Sequence, residues 1–204
     1  RASATAIFQS GGLAVSAYAI HYDFDLFSNF TYFLANPIRG DEFEQVDNRL
    51  TFGGAMEYTF ESSLGGLQLE SHVGGEVRHD DIGEIGLFPT QSRARFGVKR
   101  DDSAWISSAA GVVESSVSLT PRLRMTLGAR VDRMQFKVHE SFIAENEGSG
   151  GDTLMSPKAA LAWRSTEGVE LYANYGAGFH SNDVRGVVIN IDPNTGRTAE
   201  QTPL

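Results

Sequence analysis

Cysteine is absent from all 204 residues. That removes a disulfide framework, a thiolate metal site and a thiol nucleophile together. Positive charge is scarce: 17 Lys and Arg stand against 26 Asp and Glu, a formal net charge of −9. A nucleic-acid binder would show a basic face, so that class is excluded. Long hydrophobic runs are missing too. Ala2 to Tyr22 carries no charged side chain, a length close to the about 20 residues of a membrane helix. Gln9, Ser10, Gly11, Gly12, Ser16 and His21 interrupt it, and its second half alternates with period two, so a helix is rejected. No basic segment precedes an apolar core, so no signal peptide is read. Both ends, at Arg1 and at Leu204, look cut from something longer.

What is present is alternation. Hydrophobic residues reach 41%, too many for a disordered chain. From Leu13 to Phe33 one phase holds Tyr18, Ile20, Tyr22, Phe24 and Leu26, and the other turns polar at His21, Asp23 and Asp25. Period two marks a strand with one greasy and one wet face. The greasy phase is taken here as Tyr18, Ile20, Tyr22 and Phe24. The pattern recurs in Asn48–Phe60, Leu67–Arg78, Ala104–Leu119, Leu123–Val138, Thr153–Arg164 and Val169–Phe179, and Arg1–Phe8 reads as the tail of one more strand. Near Arg133 the phase flips, which predicts a bulge. The fold class is therefore all-β: an antiparallel up-and-down meander of seven or eight long strands.

The links sharpen this. They run 14, 6, 25, 3, 14 and 4 residues, long and short in strict alternation. A meander then places every short turn at one end and every long loop at the other, the asymmetry of outer-membrane barrels. Tyr58, Phe60 and Trp163 fall near the short turns, and Phe30, Tyr32, Phe33, Trp105 and Phe179 near the long loops. Two such aromatic bands belong at two membrane interfaces. The non-greasy faces are too rich in Glu, Asp, Arg and His to fill a small barrel dryly. A partial slice of a wide transmembrane β-barrel is predicted, with two unpaired edges.

Three stretches carry a family likeness: Leu26 to Leu34, Ser156-Pro157-Lys158 through Trp163, and Glu170-Leu171-Tyr172-Ala173-Asn174-Tyr175 through Asp183. The last two, separated by a short turn, resemble mid-barrel strands of TonB-dependent outer-membrane receptors. The resemblance implies a 22-stranded barrel with an N-terminal plug, energised through TonB, ExbB and ExbD. Neither the plug, the TonB box nor the closing C-terminal strand is found in residues 1–204, so the whole span is expected to be barrel. It further implies residence in the bacterial outer membrane, contact with its lipid, and import of a metal chelate such as a siderophore, or of another scarce nutrient. A passive porin-like or adhesion barrel is the alternative, and an outer-membrane enzyme a weaker one.

No catalytic set emerges, since no Ser lies in a G-x-S-x-G elbow, and an enzyme is not expected. No cofactor is expected either. Asp192-Pro193-Asn194-Thr195-Gly196 starts like a calcium loop, but the twelfth position is Pro203, so a turn is predicted. The candidate ligand residues are His79, Asp80, Asp81, His139, His180, Asp183 and Arg185, each just beyond a strand that runs toward the long-loop end. They are expected on one extracellular rim near the upper lumen. Imidazole with carboxylate suits transition metals, but alternate strands stand roughly 10 Å apart at about 4.8 Å per strand. A shared metal ion is therefore not expected; dispersed contacts to a bulky ligand are.

Overall fold

Alternating side chains leave every backbone N–H and C=O free to pair sideways, and the chain uses them in one ladder. The computed structural model describes residues 1–179 and 181–204. The strands are β1 (Ala2–Ser10), β2 (Leu13–Ser28), β3 (Phe43–Leu64), β4 (Leu67–Gln91), the two-residue β5 (Ala94–Arg95), β6 (Arg100–Thr120), β7 (Leu123–His139), β8 (Gly148–Thr166) and β9 (Val169–Gly176). They form one antiparallel meander in the order β1-β2-β3-β4-β6-β7-β8-β9, with β5 hairpinned onto β4. β1 and β9 are both edges, so the sheet is open, as the sequence predicts. Two-residue turns close one end; at Gly65 and Gly66 both φ angles are positive (58° and 85°), a conformation that Gly adopts without a Cβ clash.

Register assigns each residue a face, because directly paired residues point the same way. Leu50, Phe52, Met56, Tyr58 and Phe60 of β3 share one face with Val73 and Val77 of β4, Val113 of β6, Leu127 and Val131 of β7, and Met155, Leu161 and Trp163 of β8. These side chains stay uncovered: Leu127 is 51% and Met155 66% exposed. A face this apolar and this open is built for an apolar surrounding. The other face carries Glu57, Glu76, Arg78, Glu114, Arg130, Asp132 and Lys158.

Three expectations are corrected. First, the phase of β2 is inverted. Tyr18 pairs with Gly53, Ile20 with Thr51, Tyr22 with Arg49 and Phe24 with Asp47, which puts the aromatic phase on the polar face. The Tyr18 hydroxyl lies 2.6 Å from where a Cβ on Gly53 would sit, so the glycine makes room for the ring's tip. The apolar face of β2 is instead small: Val15, Ala17 and Ala19. Second, β7 has no bulge near Arg133; its pairing with β6 and β8 is unbroken there. The chemistry of the faces changes, not the phase. Third, β4 does not end at Arg78 but continues to Gln91, and the 25-residue link vanishes into β4, β5 and β6. The bulge lies here: Gly83 is left unpaired between Asn48↔Glu84 and Arg49↔Ile82, which shifts the phase above it. Its carbonyl accepts from Ser103 Oγ at 2.8 Å. Backbone pairing on both sides holds this upper stretch as a strand even though its side chains stop alternating.

The segment after β9 folds onto the upper polar face. Val184 of the short helix α1 (Val184–Val187) and Val188 pack with Ile82, Ala104, Phe136 and Val138 in the main buried apolar cluster. That cover explains why Met134, Phe136 and Val138 replace polar residues on this face of β7. Buried Asn146 ties the segment down: its Nδ2 donates to the Ile191 carbonyl (2.9 Å), and its Oδ1 accepts from the N–H groups of Asn190 and Ile191 (2.8 Å each). Asp183 caps α1, its Oδ1 accepting from Arg185 N–H at 2.9 Å and its Oδ2 from the Arg185 guanidinium at 2.6 Å. The turn read at Asp192 is present, with the Asp192 carboxylate accepting from Asn194 N–H and Thr195 Oγ1 at 2.8 Å each.

Two outcomes follow from these faces. Leu127→Arg in the intact barrel is expected to lose about 2–4 kcal/mol of membrane-folded stability. Thr126→Arg, next door on the polar face, is expected to lose only about 1 kcal/mol, through its hydroxyl bond to Ser116. Urea unfolding in vesicles measures both, and equal losses would mean that the faces are reversed. The second concerns acid. Burial pushes the Asp183 carboxyl up, but the Arg185 guanidinium and N–H outweigh it and hold the group below its ordinary 3.8. A depressed folded value stabilises the docked segment above 3.8 and loses that contribution as pH falls through the folded value. Amide protection across residues 184–202 is expected to weaken in acid, and Asp183→Asn to abolish that dependence on pH.

Candidate functional site

A period-two strand brings residues i and i+2 onto one face, and four strands use this to pair Arg with Asp. Arg49 Nε donates to Asp47 Oδ1 on β3 (2.7 Å), Arg78 Nε to Asp80 Oδ2 on β4 (2.7 Å), Arg100 Nε to Asp102 Oδ2 on β6 (2.7 Å) and Arg130 Nε to Asp132 Oδ1 on β7 (2.9 Å). All four pairs lie on the polar face. Bonds from neighbouring strands and from the loop after β7 knit this face further. Thr51 Oγ1 donates to Asp80 at 2.6 Å, Ser141 Oγ to Asp102 at 2.5 Å, Lys158 to Glu114 at 2.5 Å, and Arg130 also pairs with Glu76. Asp80 and Asp102 are buried; the two-pronged Arg78 guanidinium answers the first charge, and Arg100 Nε with Ser141 Oγ the second.

The upper half of this face forms the candidate site. Tyr22 and Phe24 of β2 stack with centroids 6.0 Å apart. Tyr22 stands directly across from Arg49 of β3, and Arg49 across from Ile82 of β4. Beside them a cleft of about 300 Å³ opens between the sheet and the segment after β9. Ile82, Ile85, Ala104 and Ile106 line it from the sheet, together with Arg49; Asp183 and Arg185 line it from α1. An apolar lining, the guanidiniums of Arg49 and Arg185, each held by an aspartate, and a flanking aromatic stack can hold a flat or bulky ligand that accepts hydrogen bonds.

The seven sequence candidates do not gather on one rim. Asp80 faces the polar side within the Arg78–Thr51 network, while Asp183 and Arg185 lie together at the cleft. His79 and Asp81 are strand residues rather than loop residues, and they face the apolar side. His79 packs against Phe52 (4.9 Å between centroids), stacks toward Trp105, and bonds through Nδ1 to Ser107 Oγ at 2.6 Å. His139 ends β7 opposite Ser103, on the same side as His79. His180 lies outside the described residues. The correction has a plain cause: His79, Asp80 and Asp81 are consecutive on a strand, so the middle one must point away from its neighbours. Among the described residues no three His, Asp or Glu side chains converge as metal ligands.

Sequence reading missed Tyr18, Tyr22 and Phe24 as members of the polar face, and it placed Arg49 and Arg78 there without seeing that each is paired with an Asp two residues away. A usable signal existed for the arginines: Arg and Asp two apart in four separate strands. None existed for the aromatics, because only pairing with β3 decides which side of β2 is which.

The same fold occurs elsewhere. The crystal structure of the ferric citrate transporter FecA in the unliganded form matches with a TM-score of 0.69 at 14% identity, over 84% of this chain and 26% of that one. This chain thus spans about a quarter of that protein's length, and the likeness is one of fold. No curated protein matches the sequence significantly. The family model for the TonB-dependent receptor-like β-barrel matches residues 4–200. The family is one of outer-membrane transport receptors, as FecA is a transporter, and neither is a class of enzymes. With the match running almost from end to end, the chain belongs to the TonB-dependent receptor family, through its β-barrel.

Proposed function

We propose that this chain forms part of the ligand-facing wall of an outer-membrane receptor. The receptor imports a metal chelate, or a similarly bulky anionic nutrient, with energy from TonB, ExbB and ExbD. In this reading the apolar face meets lipid and the polar face lines the lumen. The belt from Leu50 to Phe60 measures about 33 Å along β3 at roughly 3.3 Å per residue, and a tilt near 40° makes it about 25 Å tall. That is the height of an outer-membrane apolar band. Each of the four Arg–Asp pairs brings its own counter-ion, so the guanidiniums on this wall present oriented hydrogen-bond donors to a plug or a passing solute.

The observation that carries the ligand reading is the Tyr22–Phe24 stack next to Arg49 and the Arg185-lined cleft, at the long-loop end of the polar face. Asp80, Asp183 and Arg185 remain ligand candidates, with Asp80 and Asp183 acting through the arginines they orient. His79, Asp81 and His139 face lipid in this reading and are not proposed. Coupling to TonB would run through a plug on another part of the receptor.

The test uses the whole receptor in cells. Radioiron-labelled citrate, catecholate and hydroxamate chelates are offered to cells with and without TonB. At least one chelate is expected to be taken up only with TonB. Tyr22→Ala with Arg49→Gln is expected to weaken its binding by at least about tenfold, some 1.4 kcal/mol, at equal receptor abundance. Uptake that ignores TonB would point to a passive barrel, and unchanged binding would move the site elsewhere.

A further inference from the structure

The short-turn end of the polar face breaks the rule that governs its upper half. Arg49, Arg78, Arg100 and Arg130 each hold an Asp two residues away. Arg122, Arg124 and Arg164 have no carboxylate partner among the described residues, in a chain where 26 acidic residues outnumber 17 basic ones. Register crowds these arginines together. Arg124 of β7 pairs with Ser118 on one side and with Ala162 on the other, and Arg164 stands two residues beyond Ala162 on the same face of β8. The Arg164 N–H donates to the Arg122 carbonyl at 2.8 Å, which sets Arg122 beside Arg164 at the turn end of the two strands. Like charges side by side on neighbouring strands repel. A wall that keeps them adjacent and unpaired carries a cost that a bound anion removes.

These residues line a cleft of about 140 Å³. Buried Ala162 lies between Arg124 and Arg164, and its single methyl group leaves a gap between the longer side chains. Ser118 and Thr120 add hydroxyls from β6, and Glu170 of β9, paired in register with Arg164, brings a carboxylate to the lining. The guanidiniums of Arg122, Arg124 and Arg164 against that one carboxylate leave the cleft positive. Its volume falls below the roughly 300–1,000 Å³ of pockets that enclose a whole small molecule. It therefore fits one anionic group rather than an entire chelate. A guanidinium presents paired N–H donors that match two oxygens of a carboxylate or a phosphate. The cleft lies at the opposite end of the polar face from the Tyr22–Phe24 stack, at the mouth that the receptor reading turns toward the periplasm.

We propose that Arg122, Arg124 and Arg164 form an exit-side anion site, which takes one carboxylate or phosphate group of the imported solute before it leaves for the periplasm. The contrast along the wall gives the site its role. In the upper half the guanidiniums are already held by aspartates, whereas at the lower mouth they are free to take a new partner. An anionic solute released from the upper cleft is therefore drawn downward and held weakly at the mouth. The exit role rests on the receptor reading proposed above; the capture of an oxyanion rests on the arginine cluster alone.

The experiment takes the full receptor in detergent at low ionic strength and measures retention of radiolabelled citrate and of radiolabelled phosphate by equilibrium dialysis. Wild-type protein is expected to show a class of weak sites for at least one of the two anions. R124Q/R164Q is expected to weaken that class by at least about tenfold, as the loss of charge-assisted bonds requires. Arg49→Gln, at the other end of the wall, is expected to keep it. Glu170→Gln moves the opposite way: removal of the repelling carboxylate is expected to tighten retention by about twofold or more, a gain that a merely structural role would not produce. A wild-type receptor that retains neither anion, or a double variant that retains them as well as wild type, overturns the proposal. The first of these is also the outcome if carboxylates of the receptor's own plug occupy the guanidiniums. In cells, R124Q/R164Q is expected to slow maximal uptake of the TonB-dependent chelate by at least about threefold, with binding at the cell surface unchanged. Unchanged uptake overturns the exit role. A receptor that takes up no chelate through TonB defeats the receptor reading, while dialysis decides the anion site by itself.

Discussion

Antiparallel register is the constraint on which the rest of this structure depends. A strand side chain has two directions available, and pairing with its neighbours selects one for the whole strand. One continuous ladder from β1 to β9 therefore sorts nearly every residue onto two surfaces of opposite character. A slip of one position anywhere would carry Arg78 and Asp80 to the face of Val77. The tight two-residue turns hold the register at one end. At the other end the Gly83 bulge resets it where β4 rises past the apolar belt.

Above the belt the two surfaces change roles. On β7, Phe136 and Val138 are buried beneath Val184 and Val188 on the face that is polar lower down, while Gln135 and Lys137 emerge on the face that is apolar lower down. The sheet itself does not distinguish these zones, since its backbone pairing runs through both. What changes is the company: a folded-back segment on one side, and the end of the apolar surround on the other. The charge pairs show the same economy. An Arg two residues from an Asp needs no partner strand to find its counter-ion, so each strand brings its own neutral pair and the pairs survive wherever the strand is placed.

Much of the architecture was legible in the residues. Period two in Asn48–Phe60 and Leu123–Val131 survives intact because one face of each strand meets apolar surroundings. The short links of 6, 3 and 4 residues fall on the two-residue turns at Gly65, Pro121 and Gly168. The site was far less legible. The candidates at His79, Asp80 and Asp81 were placed in a loop because alternation fades there, yet backbone pairing to β3 and β6 holds the stretch as strand. The bulge read near Arg133 was a change of surroundings mistaken for a change of phase.

By itself the sequence determined the strands, their antiparallel order, the open edges and the end at which the long loops gather. These depend on nearest neighbours along the chain and on the reach of short turns. Only the tertiary structure decided that Tyr18, Tyr22 and Phe24 share a face with Arg49, that His79 and Asp80 look in opposite directions, and that residues after β9 fold back to roof a cleft. Alternation records that two faces differ. Which face is which depends on hydrogen bonds to a partner strand dozens of residues away, and that information is in no local stretch of sequence.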